Sequence, residues 1–142
     1  MSNFHLAKCL VPILSPLCEN EYSIADCFSF VNELSKSHVK STHCMASIDV
    51  ENLFTNIPLN ETIEIILDKL FVTSDTIILG LKRDNFKQLL QLAVKNTHFS
   101  FDNKIYQQID GVAMGSPLGP IFANIFLCHH EKNWLNDCPS LF

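Results

Sequence analysis

The sequence has no apolar run long enough to cross a bilayer. A spanning helix needs roughly 18 to 20 consecutive apolar residues, and Pro, Lys or Asn interrupts every stretch that approaches this length. The amino end, residues 1–17, contains one Lys and two Pro and shows no small-residue cleavage site of the secretory type. We therefore expect neither export nor a membrane partner.

Arginine is almost absent, because Arg83 is the only one in the chain. Ten Lys and Arg against fifteen Asp and Glu give a net charge of −5, which argues against nucleic-acid binding through bulk charge. The six Cys include no Cys-x-x-Cys pair, and several stand in apolar helical patterns. This pattern favours a reducing, intracellular location, and no run of Lys and Arg marks nuclear import.

Apolar residues are plentiful: 47% of the 142 residues are hydrophobic and 18% are charged. This composition excludes a disordered, collagenous or low-complexity chain. A chain of this length buries enough surface for one core, so we expect a single domain over residues 1–142.

The first part of the chain combines an irregular segment with a helix. Residues 1–20 contain two Pro in an apolar stretch, which predicts irregular structure. From Ser23 the spacing becomes helical and predicts a helix from about Ile24 to Lys36, with Ser23 and Asp26 as a capping pair. Its apolar face should hold Ile24, Cys27, Phe28, Val31 and Leu34.

Three further helices are predicted from the same three- and four-residue spacing. The first of these follows Pro58 with Asn60 as its cap, and the next begins near Arg83. The last has Pro120 in its first turn, after a loop at residues 111–119 that holds three Gly and one Pro.

Two stretches read as β structure. Residues 44–50 form a short, mostly apolar run that predicts a buried strand, and residues 98–108 alternate around Asp102-Asn103, which predicts a hairpin. Helices and strands mix without a βαβ repeat, so the predicted fold class is α+β, with helices packed on a small antiparallel sheet.

Asp49 closes the predicted strand. An ionised carboxylate at a buried strand end must be paired, neutralised or bound to a metal, since an isolated buried charge costs several kcal/mol. Spacing alone fits a cap on nearby backbone amides as well as a metal ligand. The loop at residues 111–119 is equally open to two interpretations, a ligand-approaching backbone or an ordinary turn.

Together, however, the two stretches resemble two palm motifs of reverse transcriptases. Residues 47–58 (Ser-Ile-Asp-Val-Glu-Asn-Leu-Phe-Thr-Asn-Ile-Pro) resemble the first motif and residues 111–126 the second. The likeness is greatest to the Penelope-like retroelement group, in the phrases at residues 53–58 and at 115–120 (Gly-Ser-Pro-Leu-Gly-Pro) followed by Ala123-Asn124. It implies part of the fingers and palm of a right-hand polymerase that copies RNA into DNA.

The resemblance also implies roles for individual residues. Asp49 matches the aspartate that bridges two Mg²⁺ ions, and the Val50 carbonyl matches a further metal ligand. Phe54 matches the aromatic position that excludes a 2′-hydroxyl, although a core phenylalanine is the alternative. The three residues Gly115, Ser116 and Pro117 match the turn that shapes the nucleotide pocket.

The sequence departs from the family in two ways. Gly111 stands where many members have a glutamine that contacts the nucleotide, so that contact is not assigned. The chain also contains no Tyr-x-Asp-Asp sequence, which carries the partner carboxylates for the metals, and lacks the basic finger residues. One aspartate does not hold two dications against their mutual repulsion, so we predict that the isolated chain has no polymerase activity.

The resemblance implies an RNA template, a DNA primer and deoxynucleotides as partners of the complete enzyme, and nuclear residence for an element that copies into chromosomes. If the chain is a fragment, its cut surfaces should expose apolar patches and promote association. Two alternatives stay open: a non-catalytic remnant that binds nucleic acid or protein, and an unrelated small α+β interaction domain.

Overall fold

A computed structural model describes residues 3–19, 23–38, 42, 44–95 and 97–136. Within them the chain forms six α-helices, one 3₁₀ turn and one two-stranded antiparallel sheet, so the predicted α+β class is confirmed. The elements in chain order are α1 (Phe4–Leu14), the 3₁₀ turn (Ser15–Cys18), α2 (Cys27–Lys36), α3 (Leu53–Asn56), α4 (Leu59–Leu70), α5 (Arg83–Val94), β1 (His98–Phe101), β2 (Lys104–Gln107) and α6 (Gly119–Asn136). None of the helices in this described part combines the length and apolar character needed for a bilayer crossing.

The core is built by helices packed on helices. α4 contacts both α5 and α6, α1 contacts α5, and the 3₁₀ turn contacts α6. The predicted apolar stripes supply the buried side chains at these contacts, among them Ile63, Ile66, Phe86, Leu90 and Phe122. The helices predicted after Pro58, near Arg83 and at Pro120 are therefore confirmed, because a continuous apolar stripe is stabilised by burial against its neighbours.

The predicted cap of α4 is wrong. Asn60 lies inside the first turn, where its Oδ1 accepts a hydrogen bond from Lys95 Nζ at 2.9 Å. Pro58 occupies the capping position and offers no side-chain acceptor. The side chain of Asp110 from a distant loop approaches instead, and its Oδ1 accepts from the Leu59 N–H at 3.4 Å.

The amino-terminal segment is helical, which corrects the irregular structure predicted for it. Pro12 lies inside α1 and removes one helical donor. Ala7, Leu10 and Leu14 nevertheless form one buried stripe, and the Asn3 side chain donates to the Leu92 carbonyl at 2.7 Å. Tertiary packing of this stripe outweighs the proline, a context effect that local propensity does not contain.

α2 begins at Cys27, three residues later than predicted, with Asp26 as its cap. The Asp26 carboxylate accepts from the Ser29 N–H at 2.8 Å. The apolar side of this helix does not pack as predicted, since Phe28 is 88% exposed and Val31 is 61% exposed.

The predicted hairpin is confirmed. β1 and β2 pair antiparallel with Phe99 opposite Tyr106, and Asp102 and Asn103 both have positive φ, at 49° and 56°. Two successive left-handed residues make the tight turn that suits a hairpin. Every residue of both strands is exposed, so the helices are not packed on this sheet as predicted. The two strands contact each other more than any helix, so the exposed apolar side chains of the hairpin lie outside the helical core.

Residues 44–50 correct a second prediction. They form no regular secondary structure and all of them are exposed, including Ile48 at 92%. A strand needs a neighbour to satisfy its backbone groups, and β1 and β2, the strands of the described residues, pair with each other instead. The predicted buried strand is therefore wrong for this structure.

Candidate functional site

The two stretches that resemble polymerase motifs are in direct contact. The Val112 N–H donates to the Phe54 carbonyl oxygen at 2.8 Å and so joins the loop at residues 111–119 to α3. Val112 is 1% exposed, so this hydrogen bond lies at the edge of the core and is shielded from water. α3 also contacts α6, the helix that begins where the loop ends.

Gly111 makes this contact possible. Its φ is +74°, and a Cβ at this position would lie 2.5 Å from the Thr55 carbonyl oxygen and 2.6 Å from that of Phe54. Both atoms belong to the backbone and cannot turn aside as a flexible side chain would. Only glycine therefore fits between the loop and α3.

Phe54 is half-buried and packs against the core. Its ring lies beside the first residue of α6, since a Cβ on Gly119 would be 3.7 Å from two ring carbons, an ordinary contact distance. This packing fits the alternative of a core phenylalanine, and the predicted contact of Phe54 with a nucleotide sugar stays a prediction. We call the contact of α3 with the loop at residues 111–119 and with α6 the junction. The Phe54 ring forms part of it.

A cavity of about 760 Å³ lies beside this junction. Ser116 and Pro117, two of the three predicted pocket residues, line it, and Thr55 lines it from α3. Gly115, the third, lies next to them with φ +88° and no atom within 4 Å of a Cβ position. The other walls come from α1, from the end of α5 and from the start of the hairpin, through residues such as Phe4, Ala93, His98 and Phe99.

Asp110 is a site residue that the sequence prediction missed. It lines the cavity, and its Oδ1 accepts from the Gly111 N–H at 2.9 Å as well as from the Leu59 N–H. Its backbone carbonyl accepts from Gln108 Nε2 at 3.0 Å. The carboxylate thus connects the first residue of the loop at residues 111–119 to the first residue of α4. The signal available in the sequence was Asp followed by Gly, which is typical of a turn.

The predicted metal ligands are not gathered into a metal site. Asp49 and Val50 are both exposed and lie in the irregular stretch at residues 44–50. Across the described ranges, no group of three or more His, Cys, Asp or Glu side chains is placed to hold a metal ion. Since Mg²⁺ is held by several oxygen ligands, these residues do not by themselves fit the ion.

No protein-family model matches the chain, and no curated protein or solved structure shows significant similarity to it.

Proposed function

We propose that the chain is part of a retroelement RNA-directed DNA polymerase and that it forms the wall of the pocket for the incoming deoxynucleotide. The observation that carries this proposal is the contact between the two motif-like stretches, through the Val112 N–H and the Phe54 carbonyl. Gly111 permits this contact, because any side chain there would collide with the carbonyl oxygens of Phe54 and Thr55.

The residues of the junction have distinct proposed roles. Ser116 and Pro117 line the cavity, where a base or a sugar would lie against them. Gly115 has no side chain and adopts a left-handed conformation, so the backbone of the turn is open to close approach. Phe54 stands beside this turn and is the proposed barrier to a ribose 2′-hydroxyl.

Nucleotidyl transfer itself is proposed for the complete enzyme, with an RNA template and a DNA primer as partners. Asp49 and the Val50 carbonyl are its candidate Mg²⁺ ligands from this segment, but the described residues place no further carboxylates around them. No catalytic step is therefore derived from these residues. We expect the purified chain to bind a nucleotide and not to extend a primer.

Nucleotide discrimination tests this proposal. Saturation-transfer NMR in the presence of MgCl₂ measures the affinity of the purified chain for dGTP and for GTP. The affinity for dGTP should be higher. Phe54→Ala should reduce the preference about tenfold, because a sterically excluded hydroxyl is then accommodated. Phe28→Ala is the matched control, since Phe28 is 88% exposed on α2, and it should leave the preference unchanged. Equal binding of both nucleotides by the unaltered chain would refute the proposal.

A non-catalytic binding module is the second candidate. The observation that favours it is the exposed position of Asp49 without a carboxylate cluster in the described part of the chain. The same titration separates the two candidates, because a binding module has no reason to distinguish dGTP from GTP through Phe54.

A further inference from the structure

One face of the hairpin is aromatic. Successive residues of a strand point to opposite faces, and directly paired residues share a face. The register pairs Phe99 with Tyr106 and Phe101 with Lys104, so these four side chains lie on the same side. We call this set (Phe99, Phe101, Lys104, Tyr106) the aromatic face. The opposite face carries His98, Ser100, Ile105 and Gln107.

The rings of this face are arranged to accept another flat ring. The Phe99 and Tyr106 centroids are 5.6 Å apart and their planes are inclined by 19°, a stacked arrangement. Both rings are about half exposed, and Phe101 beside them is 70% exposed. A strand pair holds the spacing of these rings, so a ligand that stacks on them meets a surface that is already organised.

We infer that the aromatic face binds single-stranded nucleic acid by stacking bases on Phe101 and on the Phe99–Tyr106 pair. This inference rests on the proposed function for its choice of ligand. Phe99 also lines the cavity together with Ser116 and Pro117, so the face is continuous with the proposed nucleotide pocket. A template strand that enters the pocket therefore has an adjoining surface for its next unpaired bases.

Local charge is compatible with this ligand although the whole chain carries −5. In the hairpin the charge of Asp102 is balanced by that of Lys104, which lies exposed on the aromatic face and would meet a phosphate there. Stacking on aromatic rings tolerates any base, because every base has a flat π-face. Single-strand binders usually add a basic groove and bind with a steep salt dependence, whereas this hairpin offers Lys104 alone among Lys and Arg, so the salt slope should be shallow.

Fluorescence anisotropy with labelled 15-residue oligo-dT and oligo-U tests the inference on the full chain. Phe101→Ala and Tyr106→Ala should each weaken binding about tenfold, since one stacked base is lost. Ile105→Ala is the control, because Ile105 is an exposed apolar residue of the same hairpin on the opposite face. Circular dichroism should show that all three variants keep the helical signal of the unaltered chain.

Three results would overturn the inference: no oligonucleotide binding by the unaltered chain, unchanged binding in both ring variants, or an equal loss in Ile105→Ala. The aromatic face could instead be covered by a second copy of the chain, and sedimentation velocity tests this alternative. A dimer that Phe101→Ala dissociates would assign the face to the second copy. The dGTP and GTP comparison depends on Phe54, whereas the ring variants change Phe101 and Tyr106, which do not line the cavity. Failure of the stacking inference is therefore distinguishable from failure of the proposed function.

Discussion

Gly111 and Thr55 are so close that a Cβ on the glycine would lie 2.5 Å from the Thr55 carbonyl oxygen. Gly111→Ala should therefore strongly destabilise the fold. The left-handed φ costs about 1 to 2 kcal/mol for a residue with a side chain, and relief of the clash adds about 1 to 3 kcal/mol. Urea unfolding followed by circular dichroism measures the change.

Gly80→Ala is the matched control for that variant. Gly80 has nearly the same φ, +75°, but nothing lies within 4 Å of its Cβ position. It should lose only the conformational part of the free energy of unfolding. Equal losses in the two variants would show that the close approach of the loop to α3 does not contribute to stability.

The buried ring of Phe122 should be essential for the helical core. Phe122 is 0% exposed on α6, so Phe122→Ala should lower the free energy of unfolding by about 3 to 5 kcal/mol. Phe28→Ala removes the same atoms from an exposed site and should change it by less than about 0.5 kcal/mol. Thermal unfolding of both variants measures the difference, and a similar loss at Phe28 would contradict the exposed position of α2.

Cys18 and Cys128 should react slowly with iodoacetamide. Partial burial raises the pKa of both thiols, and each is further raised by a nearby negative or ionisable group, Cys128 for the first and Glu131 for the second. Since the thiolate is the reacting form, their alkylation at pH 8 should lag behind that of the exposed Cys9, Cys27 and Cys44 and accelerate at higher pH. Peptide mass spectrometry over time gives the order, and early modification of Cys18 would contradict this burial.

Glu64 joins α4 to α5 through ion pairs that should weaken in acid. Its carboxylate accepts hydrogen bonds from Lys87 and, at 2.9 Å, from Arg83, and these cations lower its pKa. A lowered folded-state pKa stabilises the fold above the ordinary Glu value of about 4.3, and the contribution is lost as the pH falls through the folded value. Because the groups are about 40% exposed, the effect should be under about 1 kcal/mol.

Melting temperatures of the unaltered chain and Glu64→Gln, measured from pH 7 to pH 3, test this expectation. The two proteins should differ at neutral pH and converge in acid. A constant difference across the range would show that charge on Glu64 is not the source of the stabilisation.

Local pattern predicted the elements whose determinants are themselves local. α4 and α5 have apolar stripes at helical spacing, and the Asp102-Asn103 turn has residues that tolerate positive φ, so these elements were correct. α1 was missed because Pro12 signals a break, and only packing against α5 reverses that signal. The predictions of a buried strand at residues 44–50 and of a buried face on α2 were wrong for a related reason. An apolar pattern predicts burial, but it does not supply the neighbouring element against which the side chains would be buried.

Only part of the candidate site was predictable from the sequence. Ser116 and Pro117 were proposed through the family resemblance of the loop, and both line the cavity, while their nucleotide role stays a prediction. Asp110 was missed because its role depends on the distant N–H of Leu59, a contact between positions that no local pattern connects.

The hydrogen bond between Val112 and Phe54 uses main-chain atoms at both ends. This hydrogen bond between α3 and the loop at residues 111–119 therefore does not depend on which side chain position 54 carries. Substitutions at this position would change the side chain beside the loop and keep the main-chain hydrogen bond, so they separate the packing contribution of the ring from that of the main-chain hydrogen bond.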